Sequence, residues 1–76
     1  MLVYKKDGRD ILNRLKEAGY SSTRMRNEKL LNQSAIQSLR FNIMVGSKAL
    51  SDICDLLKCQ PGDIIMAVDP ETGEVY

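Results

Sequence analysis

At 76 residues, with 43% hydrophobic and 28% charged side chains and a formal net charge of +1, the chain has the composition of one small globular domain, not of a disordered segment. No apolar run approaches the roughly 18–20 residues that cross a bilayer, and no signal-peptide pattern opens the sequence, so no membrane partner and a cytoplasmic location are expected. Without histidine, a glycine-rich phosphate loop or a nucleophile beside a base, catalysis, metal binding and cofactor binding have no support.

The near-neutral total hides an asymmetry. Residues 1–48 carry ten basic side chains against four acidic ones, a formal +6, whereas residues 49–76 carry Lys58 against six carboxylates, a formal −5. Such a division favours a polyanion for the first part and repels it from the second, although basic residues also serve simply to solvate helix faces.

Leu2-Val3-Tyr4 is a short β-prone run, too brief to stand alone. Asp7 caps a helix running to Ala18, with Ile11, Leu12, Leu15 and Ala18 on one face and Gly19 as its left-handed stop. Ser21 caps a second helix, about residues 22–29, anchored by Met25 as Leu30 and Leu31 arrive at the turn. Asn32 caps a third, about residues 33–41. At roughly 100° per residue Ile36 and Leu39 point inward, while Ser34, Gln37, Ser38 and Phe41 point away and Gln33 and Arg40 sit on the flank. Asn42 can take the positive φ that ends this helix.

Gly46 and Ser47 offer a plausible cap for a fourth helix. In it Leu50, Ile53, Cys54 and Leu57 repeat at i, i+3, i+4, i+7, the clearest stripe in the chain. Gln60-Pro61-Gly62-Asp63 breaks and restarts the chain, and Ile64, Ile65 and Met66 are expected to form a short helical turn on the core. The terminal AVDPETGEVY holds an Asp-Pro turn and a Thr-Gly reversal between valines, suited to a small strand or hairpin. Pairing of Val68 with the Leu2–Tyr4 run would tie the termini together. Cys54 and Cys59 match no zinc spacing; a reduced core thiol is the default for Cys54, and a disulfide is the reading only if the chain leaves the cytosol.

These elements add up to an all-α fold class: a compact bundle of about five short helices containing a helix-turn-helix, with short N- and C-terminal β-strands able to pair. Two short helices around a tight turn, the second with a pinned apolar side and small hydrogen-bonding groups outside, suit the DNA major groove.

The chain resembles the small stand-alone Cro/CI-type helix-turn-helix regulators of bacteria and their phages, with a lambda-repressor-like fold. The likeness covers roughly Asp10 to Val68. It is carried by GYSSTRMR at 19–26, LNQSAIQSLR at 31–40 and above all by LSDICDLLKCQPGDII at 50–65. It implies a DNA-binding transcriptional regulator acting on a pseudo-palindromic operator in double-stranded DNA as a homodimer. The Ile64–Met66 run is core first, and part of it, with the terminal strands, is a candidate for the seam. The chain departs from the family pattern at Leu30, where the turn normally carries glycine, at Arg26, usually small and buried, at Lys29, commonly semi-buried, and at Phe41, more often polar.

Gln33 and Gln37 are the expected base readers, because a glutamine amide sets a donor beside an acceptor and so matches N6 and N7 of adenine. Ser34 and Ser38 can serve base edges or phosphates. Ser22, Thr23 and Arg24 open the second helix where phosphate is favoured. Asn32, Arg40 and Lys48 flank the third helix and are expected on the backbone, which positions the protein without reading sequence. Phe41 can meet a thymine methyl or tuck under the following loop; the loop is favoured, because an exposed phenylalanine is unusual unless used. No small-molecule ligand is signalled. The rival reading is a protein-binding module on the same fold (an antirepressor, antitoxin or inhibitor) with reduced or lost DNA binding.

Overall fold

In the computed structural model, which describes residues 1–76, the chain runs β1 (Leu2–Tyr4), α1 (Gly8–Glu17), α2 (Ser22–Asn27), α3 (Gln33–Arg40), α4 (Ser47–Leu57), a 3-10 turn (Pro61–Asp63) and β2 (Ile65–Ala67). Three helices begin where a short polar side chain covers a free backbone donor. Asp7 accepts from the N–H of Asp10 at 2.7 Å, Ser21 from Arg24 at 3.2 Å, and Asn32 from Ala35 at 2.7 Å. At the fourth, of the expected pair Gly46 and Ser47, Gly46 is the cap, with no side-chain bond, and Ser47 is already helical. Burial holds this helix instead, through Ala49, Ile53 and Cys54, with Leu50 and Leu57 half-buried.

All four helices close in the same way. A residue of positive φ turns the chain, and the next N–H reaches back to the carbonyl five residues earlier: Tyr20 to Leu15, Leu30 to Met25, Ile43 to Ser38 and Cys59 to Cys54, at 2.7–3.1 Å. The turning residues are Gly19, Lys29, Asn42 and Lys58. This corrects the reading of the helix-turn-helix corner. The second helix ends at Asn27, not Lys29, so the left-handed residue is Lys29 (φ 55°) and not Leu30. Leu30 follows it with ordinary backbone and packs half-buried on the core.

The core lies where α1, α3 and α4 meet. Leu15, Leu39 and Ile53 have no exposed surface, and Ile11, Met25, Leu31, Ala35, Ile36 and Val45 close around them. The start of α1 presses on the end of α3. A Cβ on Gly8 would stand 2.2 Å from the carbonyl oxygen of Leu39, and the N–H of Gly8 donates to Asn42 Oδ1 at 2.8 Å. Tyr4, buried from β1, donates its hydroxyl to the Ile43 carbonyl at 2.6 Å and accepts from the Val45 N–H at 3.1 Å. Burial raises its pKa, partly offset by the Val45 bond.

The termini pair antiparallel, with Leu2 opposite Ala67, Val3 opposite Met66 and Tyr4 opposite Ile65. The expected helical turn at Ile64–Met66 is therefore wrong. The turn ends at Asp63, which closes a capping box with Gln60, and Ile65 and Met66 extend into β2. A β-branched residue beside an unpaired strand gains ladder bonds there that one further helical turn would not supply. Val68 lies one step beyond this register. Its N–H donates to the Met1 carbonyl at 2.8 Å, and it bridges to Val75 across the terminal reversal. Ile64 and Ile65 are spent on the core, so they are withdrawn from any seam between subunits. Cys54 and Cys59 are free thiols. No helix is long and apolar enough to cross a membrane.

Candidate nucleic-acid interface

The packing of α3 decides what it can offer. Ala35, Ile36 and Leu39 are buried against the body of the protein, and Asn32 is held by its cap. Gln33, Ser34, Gln37 and Arg40 are left exposed. Ala35 was missing from the expected inner face, though it lies one turn before Leu39 and beside Ile36; alanine is too weak an apolar signal to show in a periodicity. Ser38 falls short of expectation, being half-buried.

Gln33, Gln37 and Arg40 share a notch of about 220 Å³ with Ser22, Thr23, Arg26 and one edge of Ile36. Residues on two helices, up to eighteen apart in sequence, thus converge on one polar, cationic surface. Arg26 is the residue sequence reasoning missed. The family pattern makes it a packing departure, but it is exposed. It lies between this notch and a second hollow lined by Lys29, Asn32, Gln33 and Lys48. Its spacing was the available signal: three residues after Thr23 and four after Ser22, it shares their face of the helix.

Arg24 does not join that surface. Its guanidinium lies 5.0 Å from the Tyr20 ring centroid, donates to the Gly19 carbonyl at 2.9 Å and pairs with Glu28 at 2.6 Å, so it ties α2 to the end of α1. Lys48 pairs with Asp52 at 3.2 Å, but its side chain is 88% exposed. Beyond α3, Arg9 donates to the Arg40 carbonyl at 3.3 Å. Arg9 and Arg40 line a hollow with Asp7, Asn42 and Phe41. Phe41 does not tuck under the loop as expected. It is 68% exposed, because the left-handed Asn42 turns the chain toward Tyr4 and leaves the ring at the helix end with nothing to cover it.

Two helices of this length, this corner and this exposed polar face make a helix-turn-helix. The family model for the Cro/C1-type HTH DNA-binding domain matches residues 10–70. The chain belongs to that family. Members of this family are DNA-binding domains and not enzymes, and the match runs from the first turn of α1 to the start of the terminal reversal. No curated protein matches the chain significantly, and neither does any solved structure.

Proposed function

We propose that this Cro/C1-type domain is a sequence-specific transcriptional regulator, a repressor of bacterial or phage origin, acting in the cytoplasm as a single domain. It lays α3 in the major groove, where Gln33 and Gln37 read base edges with Ser34 beside them, and Ser38 takes a smaller share because it is half-buried. Ser22, Thr23, Arg40 and Lys48 hold phosphates, joined by Arg26. Asn32 contributes after capping α3, and Arg24 contributes only by leaving Glu28. One such unit reads a few base pairs, so a two-fold dimer on a pseudo-palindromic operator completes the site.

The observation that carries this reading is the notch itself, which both exposed glutamines line together with Arg26 and Arg40, on a helix whose other face is locked. The test is binding to random duplex DNA across a salt titration, followed by Gln33→Ala with Gln37→Ala. Non-specific affinity should fall steeply with salt. The double variant should lose specific binding while its non-specific binding stays nearly constant. Exposed Phe41 and Ile43, 68% and 58%, favour a second reading, a protein-binding module on this fold. Negligible DNA affinity at low salt would select it.

A further inference from the structure

We propose that Phe41 is a specificity-determining residue that reads the C5-methyl group of a thymine in the major groove. The inference rests on the DNA-reading orientation of α3 given above. On a helical projection at roughly 100° per residue, Phe41 falls between Ser34 and Gln37, opposite the buried set Ala35, Ile36 and Leu39. The outward face thus runs from Gln33 and Ser34 through Gln37 to Phe41, with an aromatic ring as its last member.

Nothing within the chain covers that ring, which is 68% exposed, and its backbone is held firmly. The Phe41 N–H donates to the Gln37 carbonyl at 2.9 Å, and the next residue is fixed by the Gly8–Asn42 bond of 2.8 Å. Its surroundings are cationic. Arg9 and Arg40 line the hollow beside it, with Arg9 bound to the Arg40 carbonyl, and Asp7 is the one acid there, its carboxylate engaged by the Asp10 N–H. An apolar ring that shares a hollow with two arginines suits a major-groove wall, where a methyl projects from the base between phosphate rails. Of the four bases only thymine presents that methyl. Phe41 lies about 6 Å beyond Gln37 along the helix, a little under two base-pair steps. The thymine therefore belongs within about two base pairs of the base that Gln37 reads.

The experiment starts from duplexes selected by this protein out of a random library. Each thymine is then replaced singly by deoxyuridine, which removes only the methyl, and affinities are measured for the wild type and for Phe41→Ala. The wild type should bind one uracil-substituted duplex per half-site roughly three- to fivefold more weakly, the worth of one buried methyl. Phe41→Ala should bind the thymine and uracil forms alike. Indifference of the wild type to every uracil, or a penalty that persists in Phe41→Ala, overturns the proposal. So does a change from dimer to monomer in Phe41→Ala with the uracil penalty intact, which would place the ring in a subunit contact. A library that enriches no sequence refutes the DNA-reading orientation itself; an enriched site without any thymine-methyl dependence refutes only the role of Phe41.

Discussion

Replacing Gly8 by alanine reverses the sign expected of such a change in a helix. Glycine-to-alanine substitution in a helix usually stabilises by about 0.5–1 kcal/mol, through lower entropy in the unfolded chain and better propensity. At Gly8 the new Cβ would stand 2.2 Å from the Leu39 carbonyl oxygen and 2.8 Å from its carbon. Both are backbone atoms of α3, so no side chain can swing aside. Relief requires α1 and α3 to part, which lengthens the 2.8 Å bond from the Gly8 N–H to Asn42. Overpacking of this kind costs about 1–3 kcal/mol and loss of the hydrogen bond about 1 more. After the propensity gain, a net loss of about 1–3 kcal/mol remains. In a domain of this size each kcal/mol moves the midpoint by about 4–8 °C, so thermal melts followed by circular dichroism should show Tm lower by roughly 5–20 °C. Gly62→Ala is the control, because nothing lies within 4 Å of a Cβ there, and its Tm should stay level or rise slightly. A Gly8→Ala midpoint equal to or above wild type would refute the close approach of α1 to α3. The same displacement moves the end of α3, so under the proposed function specific affinity should weaken along with stability.

Tyr4→Phe removes the acceptor for the buried Val45 N–H and the donor to the Ile43 carbonyl; a urea midpoint corresponding to a loss of about 1–3 kcal/mol is expected, and an unchanged midpoint would mean that those groups find other partners. Lys29→Gly and Lys58→Gly relieve side chains held at φ 55° and 57°, and each should raise stability by up to about 1 kcal/mol; a loss would show that these lysines make contacts worth more than the backbone relief. Burial raises the pKa of Tyr4 from 10.0 and that of Cys54 from 9.0. Over the window above those ordinary values the unfolded chain has released protons that the folded chain still holds, so the contribution of these two groups is level below about pH 8 and falls as pH rises. Urea midpoints between pH 7 and 10.5 should trace that fall, and Tyr4→Phe with Cys54→Ala should flatten it; an equally steep fall in the double variant would contradict the assignment.

The corner between α2 and α3 shows why family pattern and structure part company over one residue. A pattern expecting glycine at Leu30 makes the turn look strained. The helix in fact closes one residue sooner, on Lys29, and Leu30 becomes the apolar residue that follows the left-handed position and packs back on the core. The fold therefore absorbs the departure through a modest backbone cost at an exposed lysine.

Sequence by itself determined the caps at Asp7, Ser21 and Asn32, the α1 stripe at Ile11, Leu12 and Leu15 but not at Ala18, which caps the helix and is exposed, the stripe of α4, and the outward position of Gln33 and Gln37. Each of these depends on residues within a turn or two of one another, and local hydrogen bonding and helical period are visible in such short spans. Tertiary structure alone decided the rest. Ile65 became a strand residue because Tyr4, sixty-one positions away, lies opposite it. Gly8 leaves no room for a side chain because the Leu39 backbone passes beside it. Arg24 was drawn to Tyr20 and Glu28 while Arg26 was left to the notch. Phe41 stayed in the open because the chain beyond it turned toward the Tyr4 hydroxyl. Contacts between distant segments assign these roles, and such contacts leave no periodic trace along the chain.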